Sequence, residues 1–212
     1  MPKTAVKSGD PEEIIKDLQK EVKEHPNSVI AHHRLGLAYW RAGRLDEAIQ
    51  SFIKALAIDP QSYQIRVNLG TLYFQAGKIE EGIKENLEAI RAYPGSAEAH
   101  ANVGSGYMQL GKFEEAADYF KKALEINPDM VPALTSYASI LVELDRLDEA
   151  IEVSKKACSL APTFGLAHNN LAVAYYYKGD YEKARQAMEL AKKYNYPVHP
   201  DFEKRLQEAE AK

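Results

Sequence analysis

The sequence predicts an all-α chain built as a tandem array of helical hairpins, and three observations predict it. Prolines fall at Pro26, Pro60, Pro94, Pro128 and Pro162, so that every gap is 34 residues. Each interval holds two apolar stretches with helical rather than strand spacing. Small residues recur at fixed places in each interval, with bulky ones between them. A fixed period of this size is the mark of a solenoid, in which each repeat is one supersecondary unit stacked on its neighbours.

Numbering each repeat so that its proline is position 32 gives full units at 29–62, 63–96, 97–130, 131–164 and 165–198. Residues 1–9 read as a flexible N-terminal tail. Asp10-Pro11-Glu12-Glu13 then starts a helix, with Asp as N-cap and Pro at the first helical position. Ile14, Leu18 and Val22 follow at spacing 4, so that 10–28 resembles the second helix of a half unit, capping the N-terminal end. Within each full unit the first helix is expected at roughly positions 2–14 and the second at 17–30. In the first unit Ala31, Leu35 and Tyr39 share one face, and Ala48, Ile49, Phe52 and Ala55 another. The turns fall at Gly43, Gly77, Gly111, Asp145 and Gly179, where a left-handed C-cap fits Gly best and Asp tolerably. Acidic pairs such as Asp46-Glu47 and Glu114-Glu115 open the second helices and complement the positive end of the helix dipole. The proline then ends the unit, because it cannot continue a helix interior.

Gly36, Gly70, Gly104, Ala138 and Ala172 occupy position 8, and Ala or Gly occupies positions 20 and 27 throughout. Tyr39, Tyr73, Tyr107, Leu141 and Tyr175 stand between these notches. Such alternation lets ridges pack into grooves with axes about 8–10 Å apart. Segment 199–212 is expected to form a C-terminal capping helix, with Phe202 and Leu206 against the stack and Glu203, Lys204, Glu208 and Glu210 in water.

Composition narrows the function. Among 212 residues, 45% are apolar and 27% charged, enough to build a core and to exclude wholesale disorder. No apolar run is long enough to span a membrane, and the first residues lack a signal-peptide core, so the expected compartment is cytoplasmic. One cysteine, Cys158, excludes a disulfide scaffold. A net charge of −4 argues against nucleic-acid binding.

His32-x2-Leu35-Gly36-x2-Tyr39 followed by Ala48, Phe52 and Pro60 resembles the signature of the tetratricopeptide repeat family. The pattern returns as Arg66, Leu69, Gly70 and Tyr73, as His100, Val103, Gly104, Tyr107, Ala116, Phe120 and Pro128, and as His168, Leu171, Ala172, Tyr175 and Ala184. It covers about 80% of the chain. The usual Trp at position 4 is missing, the second unit departs at Gly82 and Asn86, the fourth at Tyr137, Leu141 and Ser154, and the fifth at Tyr196-Pro197. The resemblance implies a right-handed superhelical solenoid of five hairpins, whose first helices line a concave groove at positions 2, 5, 6, 9, 12 and 13.

Candidate groove residues follow from that implication. Position 6 gives Arg34, Asn68, Asn102 and Asn170, with Asn169 beside them at position 5. Position 9 gives Thr71 and Ser105, position 12 gives Trp40, Phe74, Met108 and Tyr176, and position 13 gives Arg41. A carboxamide donates and accepts, so the asparagine row matches a peptide main chain, or else caps or bonds locally or is simply solvated. Three amide contacts at about 0.5–1.5 kcal/mol each reach only roughly 1.5–4.5 kcal/mol, against about 8 kcal/mol for a micromolar complex. Apolar anchors must therefore contribute the rest, and Trp40 is the best single candidate. The large side chains at position 12 equally suit packing alone. The clamp with which some members of the family hold chaperone C-terminal tails needs cations that this chain lacks: Glu98 stands where one is required, and only Asn68 matches.

Reactive chemistry is not expected. His32, His100 and His168 share position 4 in alternate units, roughly 20 Å apart by helix packing distance, too far to share one metal ion. Cys158 matches Leu56, Ile90 and Leu124 in register and reads as a core thiol. No phosphate loop, nucleophile elbow or zinc-protease motif occurs, so neither a catalytic role nor a cofactor is expected. The expected function is a non-catalytic adaptor or assembly factor that holds a peptide segment or helix of another protein. The rival expectation is a structural scaffold in which the chain binds copies of itself.

Overall fold

A computed structural model of the chain describes residues 10–210. The tail expected at 1–9 and the last two residues lie outside the described residues. Among the described residues there are twelve α-helices and no strand. They are α1 (Pro11–Glu24), α2 (Val29–Arg41), α3 (Leu45–Ile58), α4 (Tyr63–Gln75), α5 (Ile79–Ala92), α6 (Ala97–Gln109), α7 (Phe113–Ile126), α8 (Val131–Glu143), α9 (Leu147–Leu160), α10 (Gly165–Lys178), α11 (Tyr181–Lys193) and α12 (Pro200–Glu210). The five expected pairs are therefore α2–α3 through α10–α11. Two compact units divide the chain, Met1–Asn102 and Val103–Lys212, with the boundary inside α6.

The turns inside the hairpins form as the glycine spacing predicts. Gly77 adopts φ +73 and Asp145, the one non-glycine at this place, φ +55. The flanking N–H groups close the helix end: Gly77 N bonds Phe74 O at 3.1 Å and Lys78 N bonds Tyr73 O at 2.8 Å, the double bond of a Schellman cap. A Cβ on Gly77 would meet nothing within 4 Å, so that only the backbone conformation opposes a side chain there. Gly77→Ala should then cost about 1–2 kcal/mol and Asp145→Gly should stabilise by up to about 1 kcal/mol, both read from urea midpoints. Equal midpoints for Gly77→Ala and the parent would contradict the cap.

Within Met1–Asn102, α1 to α5 pack in chain order. The core here joins Ile15 and Leu18 of α1 to Leu35, Tyr39, Ile49, Phe52, Ile65, Leu69 and Leu72. Phe52 is fully buried, and a Cβ on Gly36 would lie 2.6 Å from its ring. The notch therefore exists to admit the ring. Within Val103–Lys212, α7 to α12 pack likewise, and α8 also touches α10. Gly104 admits Phe120 in the same way, with a Cβ only 2.9 Å from the ring.

The second hairpin reaches the same density with different residues. Asn86 stands where Phe52 and Phe120 stand in their hairpins, and it is 0% exposed. Its amide N–H donates to Gly82 O at 2.9 Å, and its oxygen accepts from Asn102 Nδ2 at 3.1 Å. Gly70 packs against this side chain and has no room for a Cβ. The aromatic ring moves to Phe74, which covers Gly82 so closely that a Cβ there would lie 2.5 Å away. Gly82 and Asn86, departures by sequence, are one coupled substitution with Phe74.

In four of the five units position 4 ties the first helix to the preceding proline. His32 Nε2 bonds Pro26 O at 2.9 Å, His100 Nε2 bonds Pro94 O at 3.1 Å and His168 Nε2 bonds Pro162 O at 2.8 Å. In the second unit Arg66 replaces the imidazole, donating to Pro60 O at 3.0 Å and pairing with the half-buried Glu85 at 2.7 Å. These donors satisfy carbonyls near helix ends that have no intrahelical partner. In the fourth unit Leu134 has no donor and is buried with Ala157 and Ala167 instead.

Candidate functional site

Each unit carries its own set of first-helix side chains. In Met1–Asn102 the structure commits most of them to neighbours. Asn68 Nδ2 donates to His33 Nε2 at 3.0 Å, across 35 residues of sequence. Burial lowers the His33 pKa, which keeps that ring neutral and able to accept. Asn102 Nδ2 is shared between Thr71 Oγ1 at 3.3 Å and Asn86 Oδ1 at 3.1 Å. Thr71 in turn donates to Val67 O at 3.0 Å. Trp40 Nε1 donates to Gln75 Oε1 at 2.8 Å, and the indole packs on the core of this unit. Arg34 is paired with Glu21 of α1 at 2.8 Å. Arg41 is exposed at the end of α2.

In Val103–Lys212 the asparagine at position 6 behaves as the others do. Asn170 is 6% exposed, and its Nδ2 donates to Thr135 O at 2.8 Å. The row Asn68, Asn102 and Asn170 thus uses its N–H groups to tie one hairpin to the next. Of the readings open from the sequence, a row matching a peptide main chain, a row bonded locally and a solvated row, these N–H contacts accord with the second, because the preceding first helix presents an acceptor within reach. Phe74 likewise faces Gly82. Ser105 and Met108 are half-buried on α6.

Two cavities of this unit lie on the first-helix side of α10. One cavity of about 510 Å³ is lined by Asn169, Val173, Tyr176 and Tyr177 of α10, by Tyr196, Pro197 and His199 of the following segment, and by Asp201, Phe202 and Arg205 of α12. A second, of about 200 Å³, is lined by Ser139, Val142 and Glu143 of α8, by Leu166, Asn169, Asn170 and Val173 of α10, and by Tyr196. Asn169, Val173 and Tyr196 border both. Every α8 and α10 residue in these walls stands at position 2, 5, 6, 9, 12 or 13 of its unit.

Aromatic contacts shape the wall. Tyr176 meets Tyr177 and Phe202 edge to face, with centroids 5.4 and 5.5 Å apart, and Tyr181 at 5.8 Å. Leu206 is buried, and Lys192 pairs with Glu203 at 2.6 Å, fixing α12 on α11. The chain reaches α12 through Asn195, at φ +59, and Tyr196 N closes the α11 end on Ala191 O at 3.0 Å. Tyr196, His199, Asp201 and Arg205 were not among the candidates read from sequence. The one signal was the proline displaced by a residue, to Pro197, which marks where the array leaves its period.

The remaining candidate chemistry is quiet. Cys158 packs beside Leu134 and Ala157, and burial pushes its thiol up to about 11, so it is protonated at neutral pH. His168 donates through Nε2, which leaves Nδ1 as an acceptor 3.6 Å from Cys158 Sγ. The sulfur therefore stays a thiol, unlike the thiolate a nucleophile requires.

Paired helices repeated five times, each packed on the next within its compact unit, define an all-α solenoid of the protein-interaction class. The tetratricopeptide repeat family matches at residues 3–63, 39–103, 97–130, 131–164 and 165–196, and the chain belongs to that family. Members of the family are in general non-catalytic protein-interaction modules. No curated protein matches the chain. Among solved structures, MamA is 25% identical over 76% of this chain and 94% of its own, with a TM-score of 0.70. The PilF protein of Pseudomonas aeruginosa is 21% identical, with a TM-score of 0.79 over 93% of this chain and 90% of its own. YrrB, described as a TPR protein with an unusual peptide-binding site, is 20% identical, with a TM-score of 0.75 over 93% of this chain and all of its own. Among the described residues no helix is long and apolar enough to cross a membrane.

Proposed function

We propose that this chain is a non-catalytic adaptor or assembly factor that holds a peptide segment or helix of another protein on the first-helix face of residues 103–212. The single observation that carries the reading is the pair of adjoining cavities around α10, walled by aromatic rings and by the Asn169 amide. Aromatic side chains supply large apolar area at low entropy cost, and an amide beside them fixes a main chain. The same fold carries a peptide-binding site in YrrB. The asparagine row is a poorer anchor than its spacing suggests, since its N–H groups are engaged within the array. A chaperone-tail clamp has no place in this reading, because Asn68 is bonded to His33 and Glu98 opposes a carboxylate. The compartment expected from the sequence, the cytoplasm, is in keeping with a lone cysteine held as a thiol.

The test pairs Asn169→Ala with Tyr177→Ala, the latter 58% exposed and so free of a core role. Partner capture by the tagged double variant is expected to fall at least about tenfold while its thermal melt stays within a few degrees of the parent. Undiminished capture would rule this face out.

A further inference from the structure

Two charged side chains stand at opposite ends of the joined cavities, and among the described residues neither has an ion-pair partner. Glu143 closes the wall on α8, and Arg205 closes it on α12. The other titratable wall groups are Asp201 and His199, which neighbour each other with Nδ1 and Oδ2 3.7 Å apart. Between the ends lie Val173, Tyr176, Tyr196 and Phe202, a largely aromatic middle that also holds the Asn169 amide. A cation and an anion held apart across an apolar wall form a binding surface with a direction.

We infer that the occupant of this face is an extended, dipolar segment of a partner protein. It carries a basic side chain against Glu143, an apolar or aromatic side chain between Tyr176, Tyr196 and Phe202, and a carboxylate against Arg205. This rests on the reading that the α10 face binds a protein segment. Its length follows from packing. α8 touches α10, and α10 meets α12 through Tyr176 and Phe202, so that the path crosses three helices. Two interaxial steps make roughly 20 Å, which an extended chain covers in about six residues. Charge complementarity of this kind sets orientation and register more than raw affinity.

The experiment is selection of random dodecapeptides displayed on phage against the immobilised full chain. Enriched peptides are expected to place a basic and an acidic residue about five to seven positions apart around an apolar one. Glu143→Lys should remove the basic preference alone, and Arg205→Glu the acidic preference alone. Both residues are exposed, and circular dichroism melts confirm that the variants fold. The best peptide of the parent should bind each variant at least about tenfold more weakly, and should weaken as salt is raised. Enrichment that lacks the charge pair, or that survives both reversals unchanged, overturns this inference and leaves the binding face standing. No enrichment over bare support overturns the binding face itself, and this inference with it.

Discussion

Phe52→Ala is expected to remove about 3–5 kcal/mol of stability, the usual cost of emptying a fully buried aromatic site. The ring is 0% exposed and sits against Gly36, whose missing Cβ makes the room. The cavity cannot refill, because the helices around it are held by α1 on one side and α4 on the other. In a repeat array such a loss spreads only to neighbours. Hydrogen exchange should therefore accelerate most in α2 and α3, with a smaller effect in α7, which has its own ring at Phe120. A urea midpoint within about 1 kcal/mol of the parent would show that the notch does not hold this hairpin. A cycle with Gly36→Ala separates the pair: the single change crowds the ring, and Gly36→Ala with Phe52→Leu should cost less than the sum of its parts.

The second large effect is a pH-dependent one. Asn86→Asp places a carboxyl where exposure is 0%, facing a carbonyl at Gly82 and an N–H donor on Asn102. Only the protonated acid reproduces the donor and acceptor of the amide, so the folded state keeps the proton and the pKa rises. The unfolded chain releases it near pH 4. The folded state then binds more protons than the unfolded one, and stability falls as pH rises. Below about pH 4 the variant should match the parent closely. At pH 7, about three units above the unfolded pKa, it should be weaker by about 4 kcal/mol. Urea titrations at pH 4, 5.5 and 7 read this directly. A difference from the parent that is flat in pH would mean that the carboxyl finds water, and that the hairpin opens around it.

These two sites show how far the sequence could be read. Phe52 was legible in part: its place on the apolar face of the second helix and the glycine notch at position 8 follow from spacing, as do the turns at Gly77 and Asp145, but that the ring enters that notch came from the closed hairpin. Asn86 was legible only as a departure. That Phe74 and Gly82 compensate for it appears only when the hairpin is closed, because the compensation runs between helices and not along one. The cavity walls divide in the same way. Asn169, Asn170 and Tyr176 stood at predictable positions, whereas Tyr196, His199 and Arg205 entered through a bend at Asn195 that breaks the period.

The sequence by itself determined an all-α solenoid of helical hairpins, the turns within them, and the family. It could do so because the period, the caps and the notches are local rules repeated five times. The tertiary structure alone decided which polar side chains are bonded inside the array and which remain open. The amides of Asn68 and Asn170 reach groups 35 residues away. Whether such a bond forms depends on the height of one helix against the next, a distance that periodicity along a single chain does not contain.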